Sequence, residues 1–526
     1  MPIEIRRLPW IKPLAVDYAF EYARLAEFFA GDPTDSSAWR GAIARAQRHP
    51  RQRDTLADIV DAQQRRRGAP PEALAAAARL RDSDTIAVVT GQQAGLFGGP
   101  LFTLLKALTA MRLAERLSTE QHVPTVAVFW IDAEDHDWDE VKACGVLDAE
   151  LNFSEVVLGR LPGAGEGPVA GVRLDESIRT AIDGLAARLP ATEFTPALLD
   201  TIGAAYQPGA SMVEAFGRLL DATLGPRGLI VFDAADPSAK PLAAPVFARE
   251  VEQAGATPRL AADAGAALVA RGYHAQVTPA LDHLALFRLD GVRTGIPIQQ
   301  APALAECVRT RPAEFSPNVL LRPLVQDTLF PTACYVAGPN ELAYLAQLHG
   351  IYDAFGVPMP LVYQRATATI VDSNAMRFLT RQELPLDALR ARDEGALNQL
   401  LEAQIPTSIQ VSQEEAVREV AERMDGLART VAELDATLEG AVRATLGRMQ
   451  DDLKKLHAKI IQAIKRKDDT LRRQFRHAQA QTFPGGHPQE RAVGFVSFLN
   501  AYGPGLVDRL SEDLPLDQRT HWVITI

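Results

Sequence analysis

One segment narrows the fold more than any other. Asp84–Thr90 (DTIAVVT) is a short β-branched run, and Gly91–Pro100 (GQQAGLFGGP) is a glycine-rich loop. Helical apolar spacing follows through Leu104, Leu108, Met111 and Leu117, and a second strand-like run, Thr125–Ile131, comes next. Pro100 marks the start of the helix, because the missing N–H of proline is no loss in the first turn. Strand, glycine loop, helix and strand in that order open a parallel doubly wound sheet, since parallel neighbours need a long crossover.

Later segments extend this α/β pattern. Gly228–Asp233, Thr332–Ala337 and Met359–Tyr363 read as strands, and Pro339–Phe355 as a helix between the last two. His274–Pro297 reads as two antiparallel strands turning at Asp290-Gly291, which suggests an insertion. Residues 1–80 read as helices, over Phe20–Phe29, Arg51–Arg67 and an alanine-rich stretch from Pro70–Pro71 to Leu80. From Val411 the period changes to heptads. Val417, Val420, Met424, Leu427, Val431, Leu434, Leu438 and Ala441 form a coiled-coil seam, which slips and restarts at Met449. Leu434–Leu438 (LDATL) carries N-cap residues, so both a hairpin and a single rod fit. The expected division is an α/β core over 1–375 with inserts at about 145–225 and 235–330, a connection over 376–410, a coiled coil over 411–482, and a segment 483–526 that packs back on the core.

Composition excludes several classes of function. The apolar runs are too short to span a bilayer, and the first residues lack the continuous apolar stretch of a signal peptide, so no membrane partner is expected. A net charge of −11 opposes nucleic-acid binding through the bulk field. Cys144, Cys307 and Cys334 are far apart with no CxxC pair, which suits a reducing cytoplasm and offers no disulfide or zinc framework. None has a base beside it in sequence, so none is expected to be a nucleophile.

Ligands of a doubly wound sheet bind outside the carboxyl ends of its strands. Gly91, Gln92 and Gln93 leave the first strand there, and Asp132-Ala-Glu134-Asp135-His136-Asp137 leaves the second. Gly91, Gly95, Gly98 and Gly99 would let backbone N–H groups hold a phosphate or carboxylate, although the loop reads equally as a tight structural turn. It matches neither GxGxxG nor GxxxxGK[ST]. Gln92 and Gln93 each offer a donor and an acceptor to an amino acid or sugar. Asp135 and His136 are the acid–base candidates, the carboxylate fixing the imidazole tautomer, while Asp137, Asp139 and Glu140 suit a helix N-terminus. No HExxH or second His/Cys cluster accompanies them, so no metal site is expected.

Asn318, Arg322 and Gln326 are spaced by four, which places them on one face of a helix starting near Pro317. Arg322 on that face suits two-point recognition of a carboxylate, and a solvated surface is the competing reading. Tyr363 and Arg365 close another strand and join the substrate-binding candidates. Lys465, Arg466 and Lys467 lie in a run with nine basic residues and two acids between Lys454 and Arg476. That run reads as a solvated face or as a secondary anion site.

Four blocks carry a family resemblance. TGQQAGLFGGPLFTLLKA (90–107), VFWIDAEDHDWDEV (128–141), FSPNVLLRPLVQDTLFPTACYVAGPNELAYLAQL (315–348) and QERAVGFVSFLNAYG (489–503) resemble the BshC family of cysteine ligases in bacillithiol biosynthesis. They fall in family order, with the coiled coil between the last two. The resemblance implies a Rossmann-like core with two connecting inserts and a coiled coil through which a homodimer forms. It implies a ligase joining L-cysteine to glucosaminyl-malate through an amide, in the cytoplasm. No cofactor is evident in the residues, and an adenine nucleotide (ATP/ADP) is the natural activator of the carboxylate. Two other classes fit the sequence: a nucleotide-dependent transferase on the same scaffold, and a non-catalytic scaffold recruiting partners through its coiled coil.

Overall fold

The computed structural model describes residues 1–526 apart from 392–393, 404–406, 436 and 468, and the side chains of 461 and 464–467 are also left aside. The side chains of Lys465, Arg466 and Lys467 therefore lie outside the described set. The chain divides into two compact units, residues 1–370 with 487–526, and residues 371–486. Among the described residues no helix is long and apolar enough to cross a membrane.

Five parallel strands centre the first unit: β1 (Ile86–Gln93), β2 (Thr125–Asp132), β3 (Ile230–Asp233), β4 (Thr332–Ala337) and β5 (Leu361–Gln364). They lie side by side as β5-β4-β1-β2-β3, each pair parallel. Alternation divides each strand between two cores, as a sheet covered on both faces requires. Ile86 and Val88 join Phe129 and Ile131 in one core, beneath α1 (Leu101–Glu120). Ala87 and Val89 join Val128 and Trp130 in the other, against α2 (Lys240–Glu252). Each such fully buried large side chain contributes roughly 1.5–3 kcal/mol. The strand order runs one way from β1 through β2 to β3 and then resumes at β4 on the far side of β1. A crevice belongs at that reversal, above the carboxyl ends of β1 and β4.

The inserts carry the antiparallel structure. Ala143–Leu147 pairs with Phe153–Val157 between β2 and β3. Between β3 and β4, His283–Asp290 pairs with Val292–Pro297 about a turn at Gly291, and also with Phe315–Pro317. That third strand corrects one expectation. The helix predicted from Pro317 begins only at Arg322, as α3 (Arg322–Leu329), and Asn318 caps the preceding turn by accepting the Leu320 N–H at 2.9 Å. Asn318 therefore stands before the helix, while Arg322 and Gln326 share one face of it, the Arg322 guanidinium donating to Gln326 Oε1 at 3.2 Å. Phe20–Phe29 is likewise two short 3₁₀ turns after the helix Pro13–Phe20, and the single helix expected over Pro339–Phe355 is two, Leu342–Leu345 and His349–Phe355.

Residues 487–526 fold with the first unit. Thr520–Thr525 pairs antiparallel with Pro2–Glu4 and sits between it and Thr367–Val371 in a small sheet. In the second unit, α4 (Thr407–Leu434) and α5 (Thr437–Lys467) pack together as a hairpin, with Asp435 accepting the Thr437 N–H at 2.8 Å in the turn. Of the two arrangements the heptads allowed, the hairpin is the one formed. The predicted seam splits. Val417, Val420, Met424 and Val431 are half-buried, whereas Leu427, Leu434 and Leu438 are exposed. Leu434 ends α4 and Leu438 opens α5, so both lie at the tip of the hairpin.

Candidate active site

A cleft of about 750 Å³ opens at the carboxyl ends of β1, β2 and β4. Gln92 and Gln93 reach its wall from β1, Asp132 from the last residue of β2, and Glu134 and Asp135 from just beyond. Glu341 follows β4, Arg365 follows β5, and Arg293 and Arg322 come from the insert before β4. Lys106 enters from α1 near its start, where the helix N-terminus lies beside the end of β1. Its ammonium donates to the Gly91 carbonyl at 2.7 Å and to Gln92 Oε1 at 3.0 Å, and pairs with Glu341 at 2.6 Å. Burial pulls Lys106 below the ordinary ammonium value, and Glu341 works against that shift.

Most charges on the wall are already matched. Glu134 pairs with Lys240 of α2, which also donates to the Phe315 carbonyl at 3.0 Å. Burial raises the Glu134 carboxyl and Lys240 opposes the rise. Arg365 donates twice to Glu490, at 2.9 and 2.7 Å. Burial alone would raise Glu490, but the guanidinium holds it below the usual carboxylate value. Asp135 accepts from Gln93 Nε2 at 2.6 Å and lies 3.7 Å from Arg293. Asp132 differs. It is half-buried and makes no hydrogen bond or ion pair with any described residue. Burial raises its carboxyl, Arg322 and Arg293 oppose this, and Asp135 and Glu341 add to it. Such a cleft can hold a small molecule bearing both signs of charge and can accept a proton from it.

Gly91, Gln92, Gln93, Asp135, Asn318, Arg322 and Arg365 all line this cleft. Other expected residues do not. His136 is absent from the wall, with a side chain 55% exposed, its ring nitrogen 3.3 Å from Asp135 and 3.4 Å from Arg293. The Asp135 carboxylate also accepts the His136 N–H at 2.7 Å. Tyr363 is buried in the core beside Arg116, since alternation along β5 directs it into the sheet face.

Three glycines of the loop have their N–H groups already engaged within the protein. Gly95, Gly98 and Gly99 are buried, with their N–H groups donated to Gln93, to Gly95 and the Tyr206 hydroxyl, and to Leu96. The Leu101 N–H at the start of α1 goes to the Val493 carbonyl at 2.8 Å. Gly98 has φ +87, and a Cβ there would fall 2.2 Å from the Phe495 ring. The missing side chain at Gly98 makes room for the Phe495 ring.

Sequence reasoning passed over Lys106, Asp132, Glu134, Arg293 and Glu341. Lys106 had a signal, as the sole charge between Pro100 and Met111 in an otherwise apolar stretch. Asp132 had one too, being the first polar residue after the apolar strand. Arg293 had none, because only the folding of an insert brings it in. The three cysteines are buried and free, and burial pushes the Cys144 thiol up to about 12.

A doubly wound sheet with a charged cleft at its switch point defines a Rossmann-like protein. Family comparison narrows this. Residues 1–366 match the family model of the BshC N-terminal Rossmann-like domain of bacillithiol biosynthesis, and residues 368–526 match that of the BshC C-terminal coiled-coil domain. The chain is 35% identical to a Salinibacter ruber protein over 98% of its own length and 96% of the relative's. It is 32% identical to one from Koribacter versatilis, covering 97% and 96%. It is 31% identical to one from Chlorobaculum tepidum, covering 83% and 82%. All three carry the name "Putative cysteine ligase BshC". The chain belongs to the BshC family.

Proposed function

We propose that this chain joins L-cysteine to glucosaminyl-malate through an amide, forming bacillithiol, in the cleft at the switch point. The observation that carries the reading is the charge left over on the cleft wall. After Lys106–Glu341, Glu134–Lys240 and Arg365–Glu490 have matched each other, Asp132 remains on one side, with Arg322 and Arg491 also on the wall. An amino sugar bearing a dicarboxylate presents the complementary groups, an amine for Asp132 and carboxylates for the guanidinium groups. Gln92 and Gln93 supply donors and acceptors for sugar hydroxyls or the cysteine backbone.

Amide formation from a free carboxylate needs a better leaving group than hydroxide, and an adenine nucleotide is the activator in this reading. With the N–H groups of Gly95, Gly98 and Gly99 spent on the protein itself, its phosphates would be met by side chains of the cleft wall. Two copies pair through the α4–α5 hairpin in the same reading. The exposed Leu427, Leu434 and Leu438 support it, because water would otherwise face that stripe.

The test is thiol profiling of a bacillithiol-producing strain whose resident family member is replaced by this chain. Restored bacillithiol with falling glucosaminyl-malate supports the reading. Accumulated glucosaminyl-malate beside normal amounts of the folded chain would refute it. Turnover of a nucleotide sugar without any need for cysteine would favour the transferase class instead.

A further inference from the structure

We infer that Asp132 is the catalytic base of this cleft, the group that takes the proton from the attacking amine, and that His136 is a bystander at its rim. The inference rests on the ligase reading and assigns a residue to its proton transfer.

A general base needs a free lone pair, a place on the wall and a path for the proton. The acids of the cleft separate on the first criterion. Glu134 is tied to Lys240, Asp135 to Gln93 and Arg293, and Glu341 to Lys106, while Glu140 is exposed to solvent. An acceptor already held by a cation or an amide is a poor proton acceptor, because protonation breaks that bond. Among the described residues, Asp132 is the one wall acid at least half-buried whose carboxylate makes no hydrogen bond or ion pair. His136 fails the second criterion, being mostly exposed and off the wall.

The position of Asp132 follows from the sheet. It ends β2 in register with Gln93 of β1, so β1 and β2 deliver the base and a hydrogen-bonding amide side by side. The groups facing it are Arg322 of α3, Arg293 of the insert hairpin, Glu341 and Tyr344 after β4, and Glu134, Asp135 and Glu140 of its own segment. Burial lifts the carboxyl above the ordinary aspartate range, which improves its match to an amine at working pH.

The amine nitrogen of glucosaminyl-malate attacks the acyl carbon of cysteine activated as a phosphoric anhydride. The C–N bond forms, and the C–O bond to phosphate breaks with its electron pair on that oxygen. The proton shed by nitrogen passes to the Asp132 carboxylate and then to water in the open cleft.

The experiment compares the wild type with Asp132→Asn, Asp132→Glu and His136→Ala by mass spectrometry of the cysteinyl amide across pH. Loss of a positioned base lowers rate by ~10²–10⁴-fold. Asp132→Asn is expected to lose that much in kcat, to keep substrate KM within a few-fold, and to lose the acid limb of the pH profile. Asp132→Glu is expected to recover part of the rate with a shifted acid limb, and His136→Ala to stay near wild type. Near-wild-type kcat and an unchanged acid limb in Asp132→Asn would overturn the assignment. So would loss of the acid limb in His136→Ala, which would return the role to the histidine. If Asp132→Asn fails to fold, a wild-type-like acid limb in Asp132→Glu would overturn it in the same way. Wild-type protein making no cysteinyl amide at any pH would instead sink the ligase reading, so the two failures are separable.

Discussion

In the sheet unit, β1 hides Ile86, Ala87, Val88 and Val89 completely from water, whereas α4 in the helical unit buries only Ala428 among its described residues. The same apolar residue types serve different ends in the two regions. A parallel sheet is covered on both faces by its own crossovers, so its apolar residues are satisfied within one chain. A two-helix hairpin covers one stripe of each helix and leaves Leu427, Leu434 and Leu438 in water. The sheet unit places polar groups with the rigidity of a packed interior, and the helical unit offers surface.

The largest effect expected from this contrast is in the sheet unit. Arg365→Ala would leave the buried Glu490 carboxylate without its cation, which costs about 3–5 kcal/mol. Urea denaturation should show it, and a loss below 1 kcal/mol would mean that water reaches the pair.

Next comes a pH effect on α2. Glu250 is buried, accepts from Ala285 N–H at 2.7 Å, and is pushed up to about 7 by burial, while its unfolded value is 4.5. Between those values the unfolded chain binds fewer protons than the folded one, so stability falls as pH rises and the penalty is complete above about 7. Glu250→Gln should therefore stabilise by on the order of 2–3 kcal/mol above that pH and by nothing in acid below the unfolded value. Equal stability of the two proteins in mild alkali would show that burial of Glu250 carries no electrostatic penalty.

One substitution should change sign between the regions. At Gly98, a positive φ and the Phe495 ring leave no room for a Cβ, so Gly98→Ala is expected to cost about 1–3 kcal/mol. At Gly440 in α5, a Cβ meets nothing within 4 Å, so Gly440→Ala should stabilise the helix by roughly 0.5–1 kcal/mol. Thermal melts of both variants check the pair, and two changes of the same sign would break the comparison.

These contrasts also explain what was legible in sequence. The β1–loop–α1–β2 segment was readable because β-branched runs, glycines and helical spacing are local signals of a fold built from local units. Thr332–Ala337 was readable for the same reason, to the residue. The heptads announced a coiled coil, but where the chain reverses, leaving Leu434 and Leu438 at the hairpin tip, depends on how two helices meet. The cleft was half legible. Gln92, Gln93 and Asp135 follow from where strands end, whereas Arg293 arrives through an antiparallel insert that no local pattern locates. Tyr363 and Gly98 were misjudged because their neighbours, Arg116 and Phe495, lie far away along the chain.

The smallest effect on folding is expected at the exposed stripe. Changing Leu427 and Leu434 together to Asp should leave the folded chain within about 0.5 kcal/mol of wild type, as surface substitutions do. Sedimentation should nonetheless shift from dimer to monomer, since each large side chain buried between copies contributes roughly 1.5–3 kcal/mol. A wild type that sediments as a monomer at micromolar concentration would contradict the pairing.

The most direct measurement is mass-spectrometric analysis of the purified chain mixed with L-cysteine, glucosaminyl-malate and ATP. The account predicts bacillithiol appearing in step with loss of glucosaminyl-malate, only when cysteine is present. It also predicts that Arg322→Lys, which keeps the charge but loses the two-point grip, raises KM for glucosaminyl-malate while the cysteine KM stays unchanged. Folded wild-type protein that consumes no glucosaminyl-malate under these conditions would contradict the claim that this cleft makes the amide.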